Sequence, residues 1–261
     1  ADDQMLPLDN FQEDPKPVVA HRTSPTNIGL YLLSAVSARE FGWLGTLDAV
    51  SRLEATVATM RLMSRYRGHF YNWYDTRDLR PLEPKYVSSV DSGNLAGHLI
   101  ALGNGCRAWA NQPAGVGWQA AYEGIGDTLA LLRKAVCRDG DARTTLHGEF
   151  ERAATELDET LAAPAREVGA PDGPAAPEWS GITILTATVA DVARALTDEV
   201  GGVRGGDVDD VLFWAQALEH AVQGHCRDAT RTPDEADVLN KRLHALADTA
   251  LQMAYAMEFG F

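Results

Sequence analysis

Apolar residues recur every three or four positions along most of this sequence, and this spacing limits its fold more than any other feature. The stretch from Thr46 to about Arg65 shows the pattern clearly, with charged residues between the apolar ones. Such spacing places the apolar side chains on one face of an α-helix. No stretch alternates between apolar and polar residues for long enough to predict a confident strand, and Tyr86–Val90 is the best short candidate. The sequence therefore predicts an all-α fold.

Two helices carry start signals that are readable from the sequence. Ser24 followed by Pro25 is typical of a cap residue with proline at the first helical position. Near the other end, Thr232 and Pro233 form the same pair, and Glu235 stands where it can complete a capping box. With the remaining periodic segments, these signals predict about eight helices.

Helices that are apolar on nearly every face alternate with amphipathic ones. The helix after Ser24 carries Ile28, Leu30 and Leu33 on different faces, which predicts a buried helix. Residues 94–110 are again mostly apolar, whereas residues 118–136 and 143–162 are amphipathic. This alternation predicts an inner and an outer layer of helices, as in part of an α/α toroid, with too few helices to close a ring of six pairs.

Two segments lack helical periodicity. Residues 1–20 are interrupted by prolines and predict an extended N-terminal arm. Residues 163–178, rich in Pro, Gly and Ala, predict a long surface loop. The domain organisation predicted from these breaks is an arm over residues 1–20 and one helical domain over residues 21–261.

The charge balance is acidic, with 23 Lys and Arg against 37 Asp and Glu and a formal net charge of −14. This balance argues against nucleic acid or an anionic membrane surface as the main partner, and it is typical of a solvated acidic surface. No apolar run approaches the roughly 18 residues of a membrane-spanning helix. We therefore expect this piece of chain to be soluble and to make no direct membrane contact.

Residues 66–94 contain the densest mixture of aromatic and polar residues. The rings of Tyr66, Phe70, Tyr71, Trp73 and Tyr74 stand among amide, imidazole and carboxylate groups. Flat apolar faces beside directional hydrogen-bonding groups suit a hydroxyl-rich ligand such as a sugar. A packed loop between helices, with its polar groups satisfied internally, explains the same composition equally well.

The polar residues of this segment allow more than one role. Asp75 and Asp91 are the carboxylates nearest to the rings, and such a pair can serve glycoside chemistry as acid and nucleophile or base. However, Asp75 precedes a turn and Asp91 stands where it can cap the next helix, so capping or sugar hydrogen bonding is favoured over catalysis. His69 suits either a sugar hydroxyl or an internal partner. The histidines lack metal-binding spacing, and we expect neither a metal nor a cofactor.

Three runs of sequence carry a resemblance to a known family. LPLDNFQEDPKPVVAHRTSPTNIGLYLLSAVSAREFGWLGT, RGHFYNWYDTRDLRPLEPKYVSSVDSGNLAGHLIALGNGCRAW and the closing MEFGF resemble the central region of bacterial cyclic β-1,2-glucan synthases. The resemblance is specific through residues 6–110 and weak from 111 to 250. In those large inner-membrane enzymes one part builds a linear β-1,2-glucan from UDP-glucose. A glycoamylase-like domain, an (α/α)6 barrel similar to endo-β-1,2-glucanases, then closes the glucan by transglycosylation.

The resemblance implies that this chain forms the N-terminal half of such a barrel and lines the glucan cleft. The acid and nucleophile are expected downstream of the chain, which alone should be inactive. Implied partners are β-1,2-glucan and the remaining domains of the same polypeptide, at the cytoplasmic side of the inner membrane. A non-catalytic helical scaffold and part of an endo-β-1,2-glucanase-like hydrolase are the alternatives. The candidate substrate-binding residues are Asn27, His69, Tyr71, Asn72, Trp73, Tyr74, Asp75, Asp91, Ser92 and Asn94.

Overall fold

The structure is a computed structural model that describes residues 3–112, 117–137, 144–166, 178–199 and 205–260. Across these ranges the protein is mostly helical, which confirms the all-α prediction. Its eight described helices are α1 (Pro25–Glu40), α2 (Thr46–Leu62), α3 (Ser89–Ala110), α4 (Trp118–Cys137), α5 (Thr145–Arg166), α6 (Trp179–Glu199), α7 (Gly205–Ala229) and α8 (Pro233–Tyr255). Among the described residues, no helix has the length and apolarity needed to cross a membrane.

Within the described ranges, six very short strands lie before α1 and between α2 and α3. They form three antiparallel pairs: β1 (Phe11–Gln12) with β2 (Val18–Val19), β3 (Arg22–Thr23) with β6 (Tyr74–Asp75), and β4 (Arg65–Tyr66) with β5 (His69–Phe70). Each strand has only two residues, so no alternating pattern could reveal it in the sequence. The β3–β6 pair matters most for the site, because it holds the aromatic segment against the residues that precede α1.

Both predicted helix starts are confirmed. The Ser24 hydroxyl accepts a hydrogen bond from the backbone N–H of Asn27 at 3.2 Å, and α1 begins at Pro25. At α8 the Thr232 hydroxyl accepts from the Glu235 N–H at 3.3 Å, while the Glu235 carboxylate accepts from the Thr232 N–H at 2.8 Å. These reciprocal bonds form the predicted capping box.

The best short strand candidate, Tyr86–Val90, does not form a strand, and α3 begins within it at Ser89. Ser88 caps this helix by accepting a hydrogen bond from the Asp91 N–H at 3.1 Å. Asp91 therefore lies in the first turn of α3 and is not its cap. The serine side chain satisfies an N–H that would otherwise lack a partner, and this moves the helix start towards the N-terminus.

The prediction that α1 is buried on nearly every face is also wrong. Ile28 and Leu32 are fully buried, but the side chain of Leu30 is 55% exposed. Composition cannot distinguish these faces, because all three side chains are aliphatic. The distinction comes from packing: Gly29 faces α3, where a Cβ atom would lie 2.2 Å from Nδ1 of His98.

The chain forms two compact units, and the first contains all of the predicted site residues. It consists of Ala1–Ser37, Leu47–Gln112 and Thr232–Phe261. Within it, α3 packs along α8 at a point where Gly103 permits close approach. A Cβ atom on Gly103 would lie 2.8 Å from Cγ of Leu251.

The second unit consists of Ala38–Thr46 and Pro113–Arg231 and has its own core. Buried residues of α4, α5, α6 and α7 form this core, including the fully buried Ile125, Phe150 and Leu218. The predicted loop over residues 163–178 falls in this unit. Helix α5 extends to Arg166, and residues 167–177 lie outside the part of the chain that the structure describes.

Candidate functional site

The centre of the candidate site is a hydrogen-bonded contact between Asn72 and Asp91. Asp91 lies in the first turn of α3, and its Oδ1 accepts a hydrogen bond from the Thr26 hydroxyl of α1 at 2.5 Å. Its Oδ2 lies 2.8 Å from the side-chain nitrogen of Asn72. Both carboxylate oxygens therefore have a partner, and together they connect the first turns of α1 and α3 to the aromatic segment.

The neighbours of the Asn72 amide determine its orientation. An indole N–H can only donate a hydrogen bond and an ionised carboxylate can only accept one. The amide oxygen therefore faces Nε1 of Trp73 at 2.6 Å and the hydroxyl of Tyr86 at 2.7 Å, and its nitrogen faces Asp91. The Asn72 backbone N–H also donates to the carbonyl of Tyr86 at 2.9 Å. With only 8% of its surface exposed, Asn72 organises this loop from the inside.

Asp9 of the N-terminal arm and Arg22 of β3 extend this network. The Asp9 carboxylate accepts from Arg22 at 2.8 Å and from the Asn27 side-chain nitrogen at 3.2 Å. The Arg22 guanidinium lies 4.6 Å from the centroid of the Trp73 ring, which is the geometry of a cation–π contact. One face of the Trp73 ring is thus covered by the protein itself.

Two predicted site residues serve the local fold. Tyr74 is completely buried; its hydroxyl donates to the Ser64 carbonyl at 2.6 Å, and burial raises the pKa of this phenol. Asp75 accepts three hydrogen bonds from the backbone and guanidinium of Arg77. These bonds hold the pKa of the Asp75 carboxyl well below its ordinary value, so the group is ionised and committed to its neighbour.

His69 does not join the Asn72–Asp91 network. Its Nε2 lies 2.8 Å from the carbonyl oxygen of Glu258, and its ring meets the Phe259 ring edge-on at 5.0 Å. The Glu258 N–H donates to the Arg67 carbonyl at 3.2 Å. His69 therefore attaches the segment that follows α8 to the β4–β5 hairpin.

The remaining predicted residues differ in how open they are. Ser92 is almost fully buried, and its hydroxyl has no hydrogen-bond partner within the described part of the chain. Asn94 is exposed and makes a long contact of 3.4 Å with the Thr26 hydroxyl. Tyr71, Trp73, Asp91 and Asn27 are half-buried. Partly open aromatic and amide groups thus surround the first turns of α1 and α3.

Sequence reasoning missed several members of this network. Thr26 stands inside the TSPTNIG run and Tyr86 inside the aromatic segment, so both were within stretches already singled out. Asp9 and Arg22 gave no local signal, because their roles depend on the fold of the arm.

The chemistry of this site favours binding over bond cleavage. Asp75 and Asp91 both have their oxygens engaged by protein donors, so neither is poised as a free acid or nucleophile. Among the residues that the structure describes, no group of three or more His, Cys, Asp or Glu side chains is arranged to hold a metal ion. What the arrangement offers is a rigid surface of rings, amides and hydroxyls.

The described fold and site define a helical protein with an aromatic and amide-rich surface at the N-termini of α1 and α3. No protein-family profile matches the chain. The chain is similar to the cyclic β-(1,2)-glucan synthase NdvB of Rhizobium meliloti (strain 1021). The two are 43% identical over 264 aligned residues, which cover 100% of this chain and 9% of that protein. The chain thus spans less than a tenth of the length of this relative.

Proposed function

We propose that this chain is a segment of a cyclic β-1,2-glucan synthase-like polypeptide and forms part of its glucan-binding cleft. The observation that carries this proposal is the 43% identity to a protein of that name along the whole chain. In the proposal the segment belongs to the N-terminal half of an (α/α)6 domain that closes linear β-1,2-glucan by transglycosylation. Its partners are the glucan and the remaining domains of the polypeptide, at the cytoplasmic side of the bacterial inner membrane.

The surface around the first turns of α1 and α3 supports the binding part of the proposal. A sugar ring presents C–H faces that pack on aromatic rings and hydroxyls that need directional partners. Trp73 and Tyr71 supply partly open rings, and Asn94 supplies an exposed amide. The network through Asn72 and Asp91 holds Trp73 directly and Asn94 through Thr26 before a ligand arrives, which reduces the entropy lost on binding.

The bond-forming residues are proposed to lie outside this chain. The carboxylates of the candidate site are committed to protein donors, and glycoside chemistry needs a pair of carboxyl groups free to exchange protons or attack the sugar. We therefore expect the isolated 261-residue chain to form no cyclic glucan. Ring formation by this chain alone would contradict that placement of the acid and nucleophile.

Calorimetric titration with linear β-1,2-gluco-oligosaccharides tests the binding proposal. We expect Asn94→Ala to weaken binding by about tenfold, because one directional hydrogen bond to a hydroxyl is lost. Trp73→Phe keeps a ring but removes the N–H that orients Asn72, and a further loss of affinity is expected. Val238→Ala, at an exposed position of α8, is the matched control. Unchanged affinity in Asn94→Ala and Trp73→Phe would place the glucan elsewhere.

A non-catalytic helical scaffold remains the second candidate function. The observation that favours it is that protein groups already supply the hydrogen-bond partners of the network: both carboxylate oxygens of Asp91 and both amide atoms of Asn72 are bonded to other side chains. In that case the segment would support neighbouring parts of the polypeptide and bind no sugar. Absence of glucan binding by the folded chain and by the longer polypeptide that contains it would favour the scaffold.

A further inference from the structure

A groove on the surface of the first unit, between α3 and α8, is separate from the candidate site. It has a volume of about 530 Å³ and is lined by Arg107 of α3 and by Asp248, Leu251, Gln252, Tyr255 and Ala256 of the α8 side. This volume falls within the range of small-molecule sites. From these groups we infer a second saccharide-binding surface, which takes a neutral oligosaccharide.

The shape of the groove follows from residue size. Asp248, Leu251, Gln252 and Tyr255 recur at three- and four-residue spacing and so share one face of α8. Leu251 forms the floor with 9% of its surface exposed, and it packs against α3 where Gly103 has no side chain. Long side chains stand on either side of this small-residue contact.

The aromatic wall of the groove is unusually open. Tyr255 exposes 74% of its surface, whereas aromatic side chains of this size normally bury most of theirs against other apolar groups. It projects from the last turn of α8, which fixes its backbone. A flat, exposed ring on a rigid helix is suited to packing against the C–H face of a sugar.

The two charged groups of the groove are paired with each other. Nη2 of Arg107 lies 3.0 Å from Oδ1 of Asp248, so the guanidinium and the carboxylate balance each other. The pair carries no net charge, so the groove offers an unpaired charge to neither an anion nor a cation. Paired in this way, the two groups still have N–H and oxygen sites for neighbouring hydroxyls, and the exposed Gln252 amide adds a donor and an acceptor. A neutral, hydroxyl-rich ligand meets all of these conditions.

The groove leads towards the aromatic segment. Ala256 borders it at one end, and the carbonyl of Ala256 lies against the β4–β5 turn, where a Cβ atom on Gly68 would lie 1.9 Å from its oxygen. The hairpin begins the aromatic segment of residues 66–94. A glucan held in the groove would therefore lie close to that segment, and the choice of β-1,2-glucan as the ligand rests on the proposed function.

Titration of the folded chain with linear β-1,2-, β-1,3- and β-1,4-gluco-oligosaccharides tests this inference. We expect Tyr255→Ala to weaken binding by about tenfold, because the stacking face is lost, and Tyr255→Phe to change it by less than about twofold. Gln252→Ala should also weaken binding. Phe213→Ala removes a ring that is 60% exposed in the second unit, and it serves as the matched control.

The outcomes separate this inference from the proposed function. Wild-type binding of β-1,2-glucan with no effect of Tyr255→Ala or Gln252→Ala would overturn the groove and leave the proposed function standing. Binding of a different neutral glucan that depends on Tyr255, together with no binding of β-1,2-glucan, would support the groove and count against the proposed function. Failure of every saccharide to bind would overturn the groove. Protection of Tyr255 from hydroxyl-radical labelling in the longer polypeptide without glucan would mark a protein contact and also overturn it.

Discussion

Asp91 shows at the scale of single residues how this protein uses its polar groups. Its two carboxylate oxygens accept from the Thr26 hydroxyl and the Asn72 amide, which belong to α1 and to the aromatic segment. A partly buried carboxylate with partners on both oxygens is stabilising because desolvation is offset by charge-assisted hydrogen bonds. The residue that could be interpreted as an acid or nucleophile is therefore a structural connection.

Replacing Asp91 by alanine should destabilise the protein. The variant leaves the buried Asn72 amide without its acceptor, and we expect the free energy of unfolding to fall by about 1–3 kcal/mol. Urea denaturation followed by circular dichroism measures this change. Asn94→Ala is the matched control from the same helix, and its exposed side chain predicts a change within about 0.5 kcal/mol. Equal effects in the two variants would contradict the role given to Asp91.

Asp75 should make stability depend on pH. Its bonds from Arg77 lower the pKa of the folded carboxyl below its ordinary value of about 4. A lowered pKa means that the ionised group stabilises the fold above that ordinary value, and that this contribution is lost as the pH falls below it. The difference in unfolding free energy between wild type and Asp75→Asn should therefore be largest near neutral pH and shrink in acid.

Urea denaturation at about pH 7, 5 and 3 spans the upper part of the window between the ordinary and lowered pKa values of Asp75, where the carboxyl of the unfolded chain takes up its proton while that of the folded protein stays ionised. Asp78→Asn is the control, because Asp78 lies in the same turn but is exposed and forms a surface ion pair with Arg80. Its effect should be small at each pH. If the difference in unfolding free energy between wild type and Asp75→Asn stayed constant from neutral to acid pH, the lowered pKa of Asp75 would be refuted.

At the scale of secondary-structure elements, glycines decide which elements can meet. Gly68 has a φ of +81° in the β4–β5 turn and lies against the carbonyl of Ala256. Both its backbone conformation and its surroundings exclude a side chain. Gly93 in α3, by contrast, has nothing within 4 Å of the position a Cβ atom would take.

Replacing these two glycines by alanine should therefore have opposite effects on the free energy of unfolding. Gly68→Ala is expected to destabilise the protein by more than about 1 kcal/mol, because it strains the turn and pushes against the segment after α8. Gly93→Ala should stabilise it by about 0.5–1 kcal/mol through a better helix propensity. Thermal and urea denaturation of both variants measure the difference. If both variants changed the free energy of unfolding in the same direction, this account of the turn would be refuted.

At the scale of the whole molecule, two separate cores support the chain. Phe150 is fully buried in the core of α4 to α7, and Leu99 is fully buried in the first unit. Phe150→Ala should cost about 3–5 kcal/mol in the unit that contains it. Native-state hydrogen exchange of the Phe150→Ala variant, compared with wild type, is expected to be accelerated more in α4–α7 than in α3 and α8. Leu99→Ala should produce the reverse pattern, and uniform acceleration in both variants would contradict separate cores.

Much of the fold was predictable because its causes are local. Helical spacing, Pro25 after Ser24, and the Thr232–Glu235 box act within a few residues, and these helix starts are confirmed. The start of α3 was predicted wrongly because Ser88 and Asp91 are both good candidates for a cap, and only the backbone geometry chooses between them. The two-residue strands gave no periodic signal.

The composition of the candidate site was readable from the sequence, but its connections were not. The aromatic segment, Asn72 and Asp91 stood out by residue type, whereas Asp9 and Arg22 did not. Hydrogen bonds between residues far apart in sequence, such as Thr26 with Asp91, depend on how α1 and α3 pack. Such contacts leave no trace in local spacing.

The sequence by itself determined the helical class, the caps and the presence of a sugar-like mixture of rings and amides. It also carried the resemblance that the comparison with a glucan synthase supports in part. Only the tertiary structure decided that Asp75, Tyr74 and His69 serve the fold, and that a groove opens between α3 and α8. Propensity and capping are properties of short segments, whereas burial and hydrogen-bond partners depend on distant parts of the chain meeting.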